Sequence, residues 1–329
     1  MNNTDQATSA QTFDLALFII ESIILLPTIL GNILLIYCVS RYKKLHTRSY
    51  ILIANLAASD LLFGLIFLPY DMSAFGFPEI RKNKLTCLLR NVLLLTFVGA
   101  SVFNLLVISF ERYLAIAYPL WHLKLSRRWL IVAMVSSWSL STFISVLPLF
   151  GWSSWNSSRR CIHSWFTILT GEYKTILFFT YTTSIFISFV LFVKVVTKAL
   201  RFLNESSTTT GDINIRRLSA RRLRRSVEKT KLLLLVLGLF VLCWGPYCMI
   251  DVLDSYIFKG NHQIDSVKRY SGLLALCNSG INWIVYGLKN DNIRHAFKLT
   301  LCKWKKNSTG LPINESSIQQ LSQVSSLSL

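Results

Sequence analysis

Seven polar side chains stand in the middle of long apolar segments, where they are the residues best placed to do chemistry. They are Asn32, Asp60, Ser101, Asn104, Asn278, Ser279 and Asn282. An uncompensated Asp60 carboxylate is costly in hydrocarbon, so we expect it to be neutral or to find a partner. A carboxylate surrounded by hydroxyl and amide oxygens offers the ligands that a small hard cation prefers. Two interpretations remain open: a hydrogen-bond network between helices, and an ion site.

The composition of the chain indicates which elements position these side chains. Of the 329 residues, 52% are hydrophobic and 16% are charged, whereas roughly a quarter are charged in soluble domains. The apolar residues form seven blocks long enough to cross a bilayer. These blocks, named spans 1 to 7, cover residues 15–39, 49–70, 87–117, 129–150, 175–196, 231–257 and 270–288. The pattern excludes a cytoplasmic enzyme, a secreted disulfide scaffold and a disordered regulator.

Each span is predicted to be a helix, because backbone groups cannot stay unpaired in hydrocarbon. The predicted fold class is therefore an all-α membrane protein, with a seven-helix bundle over residues 15–288. Residues 1–14 precede the bundle, a short amphipathic eighth helix is expected at 289–303, and a serine-rich tail follows at 304–329. The prolines inside the spans predict local kinks; they are Pro27, Pro69, Pro148 and Pro246.

The positive charges indicate how the bundle is oriented. The loops after spans 1, 3 and 5 are rich in lysine and arginine, and the last of these contains the basic run 216–225. The positive-inside rule places these loops and the tail in the cytosol and the N-terminus outside the cell. The net charge of +19 is then explained by cytosolic loops facing membrane lipids, and not by a nucleic-acid partner. We expect a multi-pass membrane protein.

Six short motifs occur in order along the spans. They are Gly31-Asn32, Asn55-Leu56-Ala57-Ala58-Ser59-Asp60, Glu111-Arg112-Tyr113, Trp138, Cys243-Trp244-Gly245-Pro246 and Asn282-Trp283-Ile284-Val285-Tyr286. Together they resemble the motifs of the rhodopsin-like G-protein-coupled receptors, and the resemblance covers residues 15–302. It implies a receptor of the plasma membrane, not an enzyme. Such a receptor binds an extracellular small-molecule or peptide ligand and promotes nucleotide exchange on a heterotrimeric G protein. It also implies a receptor kinase and an arrestin as partners of the tail.

The same resemblance assigns roles to individual residues. Those implied in activation and G-protein coupling are Glu111, Arg112, Tyr113, Trp244, Pro246, Asn282 and Tyr286. Glu111 would hold Arg112 in the resting state, and Trp244 would act as a lever below the ligand pocket. The polar cluster that holds an allosteric sodium ion in this family is matched by Asp60, Ser101, Asn278, Ser279 and Asn282. No other cofactor is expected.

The ligand cannot be assigned from these residues. Span 3 has Leu94 where amine receptors of the family place an aspartate, and span 7 has no lysine that could form a retinal Schiff base. The chain shows partial similarity to adenosine, melanocortin and cannabinoid receptors. Candidates for the ligand pocket are Glu21, Asp71, Leu94, Tyr247 and Asp251. The alternative for the acids among them, and for Asp254, is that they are solvated helix ends.

The cysteines and sequons suggest covalent modifications. Cys87 and Cys161 resemble the family's disulfide between the outer end of span 3 and the loop after span 4. Asn2 and Asn156 begin glycosylation sequons that the predicted topology places outside the cell. Cys302 follows the amphipathic stretch, which makes palmitoylation plausible at the inner leaflet.

Three departures from the family pattern bear on signalling. Trp283 stands where the family usually has a proline, and span 5 lacks both a proline and an inner tyrosine. Ser226 occupies the position of an acid that faces Arg112 in many relatives, with Glu228 displaced nearby. One alternative is therefore a seven-helix receptor impaired in G-protein coupling. A second is a membrane transporter or channel, a class expected to show internal repeats or paired broken helices, and the sequence shows neither.

Overall fold

Long helices account for nearly all of the structure that positions the site. The computed structural model describes residues 3–77, 83–155, 168–208, 213–257 and 262–309. Six spans each form one continuous helix: span 1 is Asn3–Arg41, span 3 is Lys84–Ala117, span 4 is Arg127–Val146, span 5 is Gly171–Thr208, span 6 is Ile213–Tyr256 and span 7 is His262–Lys289. Span 2 is Arg48–Leu62, which continues through a π-helical turn, Phe63–Phe67, into Leu68–Gly76.

Shorter elements complete the described chain. A 3-10 turn, Lys43–Leu45, follows span 1, and the helix Pro119–Lys124, here called the loop helix, follows span 3. The eighth helix is Asp291–Thr309. Within the described residues, extended pairing is limited to an isolated antiparallel bridge between Ser153 and Leu169. The prediction of an all-α fold is confirmed.

Span 3 is the centre of the bundle. It packs against spans 2, 4, 5 and 6, while span 1 contacts spans 2 and 7 and span 6 contacts both of its neighbours. About 67% of the most apolar stretch of span 3 is buried, compared with 22% for span 4. Because span 4 is apolar but exposed, its free face is the one that lipid covers. Functional side chains on span 3 are therefore shielded from lipid on most sides.

Side-chain caps start two of the membrane helices. The Asn83 side chain accepts a hydrogen bond from the Leu85 N–H at the outer end of span 3. The Ser126 hydroxyl accepts one from the Trp129 N–H at the inner end of span 4. Both satisfy backbone donors that have no partner inside the helix. The beginnings of spans 3 and 4 are thus fixed by local chemistry at the two membrane surfaces.

Several boundaries differ from those expected from the sequence. Span 1 begins at Asn3 and span 6 at Ile213, so both helices extend beyond their apolar blocks. The eighth helix runs to Thr309, past its expected end at 303. Pro27 and Pro246 lie inside helices, whereas Pro148 lies in a 3-10 turn, Leu147–Phe150, after span 4 has ended at Val146. The expectation that Pro148 kinks a helix is wrong, because proline has no backbone N–H and cannot donate the hydrogen bond that would continue the α-helix.

Span 7 is the least apolar of the seven. Among the described helices, six are long and apolar enough to cross a membrane by composition alone, and His262–Lys289 is not one of them. The physical reason is its content of asparagine and serine, which includes Asn278, Ser279 and Asn282. It nevertheless packs against spans 1, 2 and 6 as part of the bundle. Span 7 is therefore less apolar than the other spans because it supplies most residues of the polar cluster.

Candidate functional site

The midplane of the bundle holds a buried carboxylate with a polar partner from span 7. The Asp60 side chain belongs to a residue that is only 1% exposed, and its Oδ2 accepts a hydrogen bond of 2.9 Å from Asn282 Nδ2. The Ser279 side chain also lies beside Asp60. Ser101 lies one step away, with its hydroxyl 2.9 Å from that of Ser59, the neighbour of Asp60. The structure thus brings spans 2, 3 and 7 together around Asp60.

Three oxygens of this cluster are buried without a hydrogen bond to any described residue. They are Oδ1 of Asp60, Oδ1 of Asn278 and Oδ1 of Asn282. Buried acceptors of this kind are rare, because leaving one unsatisfied costs about 1–3 kcal/mol. All three are electron-rich oxygens, and one carries a formal negative charge. Oxygens of this kind are the ligands that a small hard cation prefers.

The other two midplane asparagines belong to different contacts. Asn32 Nδ2 donates to the carbonyl oxygens of Thr28, at 2.8 Å, and of Ser279, at 3.3 Å. Asn104 Oδ1 accepts from Asn55 Nδ2, and Asn55 Oδ1 in turn accepts from Trp138 Nε1 at 3.1 Å. Asn104 therefore ties spans 2, 3 and 4 together and serves a structural purpose. The seven residues singled out by their position do not form one site.

The inner end of span 3 carries a carboxylate whose oxygens are fully engaged. Glu111 is 0% exposed, and it accepts hydrogen bonds from Arg112 Nε at 2.6 Å and Arg112 Nη2 at 2.7 Å. Ser49 Oγ donates to it at 3.1 Å. His122 Nε2 lies 2.9 Å from Glu111 Oε1, close enough for a further hydrogen bond. The pairing of Glu111 with Arg112 that the resemblance implied is present in this conformation.

Ser49 and His122 were not foreseen from the sequence. His122 lies on the loop helix, which Arg48 holds against span 2 by donating to the backbone oxygens of His122, at 2.6 Å, and Leu125. The only available signal was a histidine within a dozen residues of Glu111, which does not by itself indicate contact. The ring of Tyr113 lies edge-on to that of Tyr118, with 6.0 Å between the ring centroids.

The departures at spans 6 and 7 have visible consequences. Trp283 packs directly against Gly31 of span 1, where a β-carbon would collide with the indole ring. The Tyr286 side chain is buried, and its hydroxyl has no hydrogen-bond partner among the described residues. Glu228 is exposed, and the acidic partner of Arg112 in the described ion pairs is Glu111. The side chain of Ser226 lies outside the described part of the structure.

The outer half of the bundle contains buried ion pairs that the sequence analysis missed. Arg90 of span 3 pairs with Asp71 of span 2. Asp251 of span 6 lies 2.5 Å from Lys268 Nζ of span 7 and 3.3 Å from Lys174 Nζ of span 5. Lys268 also lies 3.1 Å from Asp254. The alternative of solvated helix ends is therefore wrong for these acids, because each has a buried cationic partner.

A cavity of about 210 Å³ lies between spans 3, 5 and 6. Of the candidate pocket residues, Leu94 and Asp251 line this cavity, together with Lys174 and Trp244. Glu21, Asp71 and Tyr247 do not line it, so their assignment to the pocket is not supported by this cavity. Glu21 and Asp71 are instead buried near Arg90, and Tyr247 packs edge-on against Trp244 with 6.4 Å between ring centroids.

The covalent modifications are only partly within the described residues. Cys87 is disulfide-bonded, whereas five other cysteines are free thiols. Cys161, Asn2 and Asn156 lie outside the described residues, so the bridge to Cys161 and both glycosylation sites stay predictions. Cys302 is an exposed thiol on the eighth helix.

The fold and the inner site define a seven-helix membrane receptor, and comparison with known families agrees. Residues 31–286 match the family described as 7 transmembrane receptor (rhodopsin family), and the chain belongs to this family. It is 30% identical over 274 residues to the lysophosphatidic acid receptor 3 of Rattus norvegicus, covering 83% of this chain and 74% of that one. The human receptor of the same name is 28% identical over 274 residues, with the same coverage of both chains. The cannabinoid receptor 1 of Taricha granulosa is 28% identical over 284 residues, and the match covers 82% of this chain and 59% of that receptor's chain.

Proposed function

We propose that this receptor, with its N-terminus outside the plasma membrane, converts the binding of an extracellular ligand into nucleotide exchange on a heterotrimeric G protein. The observation that carries the proposal is the buried pairing of Glu111 with Arg112 at the inner end of span 3. A receptor kinase and an arrestin acting on residues 304–329 belong to the same proposal. So do palmitoylation of Cys302 and glycosylation of Asn2 and Asn156.

The chemistry of the pair is that of a releasable lock. A guanidinium stays charged at any physiological pH, so Arg112 always needs a partner when it is buried. Glu111 supplies one through two charge-assisted hydrogen bonds, and Ser49 and His122 hold the carboxylate in place. Loss of this pairing would free the guanidinium to face a cytosolic partner. The resting state is thus the one in which Glu111 has all of its donors.

The test needs no ligand, because the lock can be broken by mutation. Glu111→Gln should raise ligand-free nucleotide exchange in membranes reconstituted with a panel of G proteins. Arg112→Ala should abolish exchange, alone and in combination with Glu111→Gln, while surface expression is retained. Arg294→Ala is the matched control, because Arg294 is an exposed arginine on the eighth helix. Normal exchange in the Arg112→Ala variant would contradict the role assigned to Arg112, whereas ion flux without nucleotide exchange in any variant would favour a transporter or channel.

We further propose that the midplane cluster holds an allosteric sodium ion. The unsatisfied oxygens of Asp60, Asn278 and Asn282 support this reading, with Ser279 and Ser101 as neighbouring hydroxyls. If sodium binds the resting state more tightly than the active state, sodium must lower the affinity for agonist. Agonist must then lower the affinity for sodium by the same factor. This coupling is typically about 1–3 kcal/mol.

A further inference from the structure

The cavity between spans 3, 5 and 6 is apolar along most of its length and polar at one end. Its apolar wall includes Leu94, Val98, Leu177, Phe240 and Trp244. Its charged groups, Lys174 and Asp251, stand near the outer ends of spans 5 and 6. From Lys174 to Ile185, the deepest lining residue of span 5, the helix rises about 16 Å. The shape is therefore that of a long apolar slot with a charged outer end.

The slot extends to the lipid-facing surface of the bundle. Val241 and Met249 of span 6 line it and are 42% and 56% exposed. Thr182 of span 5 lines it from the other side and is also exposed. Exposed side chains within a membrane span face lipid, so these residues mark a gap between spans 5 and 6 that meets the bilayer. A molecule dissolved in the outer leaflet can reach the slot without passing through water.

Lys174 is the charged group with bonding capacity to spare. Its ammonium has three N–H donors, but its acidic partner among the described ion pairs is Asp251, at 3.3 Å. The same Asp251 oxygen lies closer to Lys268, at 2.5 Å, so Lys174 shares its acceptor with a stronger competitor. Lys174 is only 7% exposed, and water therefore does not satisfy the remaining donors freely. It also lies in the first turn of span 5, where the helix end favours an anion.

We propose that the slot binds a single-chain amphiphile with an anionic head, with the head on Lys174 and the chain between spans 5 and 6. An anion would satisfy Lys174 and leave Asp251 to Lys268, so every charge keeps a partner. A cationic head would meet Lys174 as a like charge and find Asp251 already taken by two ammonium groups. A neutral chain would leave the donors of Lys174 unsatisfied. This inference rests on the proposed function in treating the slot as the ligand site.

The experiment measures equilibrium binding of dodecyl phosphate to the full-length receptor in phosphatidylcholine nanodiscs, with empty nanodiscs as the baseline. Matched probes are dodecanol and dodecyltrimethylammonium, which keep the chain, and inorganic phosphate, which keeps the head. Saturable binding should be at least about tenfold tighter for dodecyl phosphate than for either chain probe. Inorganic phosphate alone should not bind. Equal affinity for the phosphate and ammonium amphiphiles would overturn the proposal.

Two substitutions with opposite signs make the test specific. Lys174→Gln should weaken dodecyl phosphate binding about tenfold and bring it to the level of dodecanol. Asp251→Asn should tighten binding, because it removes the carboxylate that competes for Lys174, and a merely misfolded variant could not do this. Lys194→Gln is the matched control, since Lys194 is an exposed lysine near the inner end of the same helix. Weaker binding in Asp251→Asn, or unchanged binding in Lys174→Gln, would refute the assignment.

The result is separable from the fate of the proposed function, because binding is measured without a G protein. If Glu111→Gln raises ligand-free exchange but dodecyl phosphate does not bind, this inference alone fails. If dodecyl phosphate binds through Lys174 but no variant alters exchange, the slot is supported and the proposed signalling role fails.

Discussion

Two buried carboxylates in this bundle differ in how completely their oxygens are hydrogen-bonded. Glu111, at the inner end of span 3, receives hydrogen bonds from Arg112, Ser49 and the His122 ring. Asp60, at the midplane, has one oxygen bonded to Asn282 and the other without a hydrogen bond to any described residue. We expect the carboxylate with all its partners in the protein to act as a lock, and the one with an unsatisfied oxygen to act as a binding site. Their difference predicts that removing the negative charge will have opposite effects on stability at the two positions.

The largest effect is expected at the lock. Glu111→Ala leaves the buried Arg112 guanidinium without its counter-ion, and breaking a buried pair in this way costs about 3–5 kcal/mol. Thermal unfolding of the purified receptor in nanodiscs, in sodium-free buffer, should therefore show a strongly lowered melting temperature. Glu228→Ala is the control, because Glu228 is an exposed glutamate at the inner end of span 6. A Glu111→Ala variant as stable as the control would show that Arg112 does not depend on this carboxylate.

The sequence predicted the membrane fold and the positions of the carboxylates Asp60 and Glu111. It did not predict the cationic partners of the acids in the outer half of the bundle. Apolar blocks of helix length and the ordered motifs were sufficient to place Asp60 and Glu111 on spans 2 and 3. The cations escaped notice because Lys174 and Lys268 reach Asp251 only when spans 5, 6 and 7 pack together. An unpaired charge in the membrane is costly, so each acid in a span requires a counter-ion. This requirement is the signal in the sequence that indicates Lys174 and Lys268.

Trp283 shows a second limit of the sequence analysis. In the sequence, Trp283 stands out only as a missing proline in span 7, and Gly31 only as part of a motif in span 1. The structure shows that the two fit together, because the indole ring occupies the space that a side chain at Gly31 would fill. Each residue is unremarkable in its own segment, and the relation exists only across the bundle. Tertiary packing of this kind leaves no periodic trace in the sequence.

A smaller effect, with the opposite sign, is expected at the incomplete carboxylate. In sodium-free buffer Asp60→Asn should leave the melting temperature unchanged or raise it, because it removes a buried charge that has no cation. In the wild type, sodium chloride should raise the melting temperature relative to N-methylglucamine chloride at equal ionic strength, because a ligand that binds the folded state stabilises it. In Asp60→Asn this sodium effect should disappear.

The matched control for sodium is Asp291→Asn, since Asp291 is an exposed aspartate on the eighth helix. It should keep the full sodium effect of the wild type. Once an agonist is known, the same variants should show a sodium-dependent loss of agonist affinity of about 5- to 150-fold in the wild type only. Equal melting temperatures of the wild type in the two salts would contradict the ion site and favour a hydrogen-bond network around Asp60.

The smallest effect is expected for His122, and it tests whether the lock depends on this hydrogen-bond donor as well as on Arg112. His122→Ala removes one hydrogen bond to Glu111 but leaves the ion pair intact, so the expected loss of stability is about 1 kcal/mol. Ligand-free nucleotide exchange should rise modestly, and by less than in Glu111→Gln, because Glu111 still holds Arg112 through two bonds. His295→Ala on the eighth helix is the control. If His122→Ala lowers stability without raising exchange, the histidine only anchors the loop helix, and the lock consists of Glu111, Arg112 and Ser49 alone.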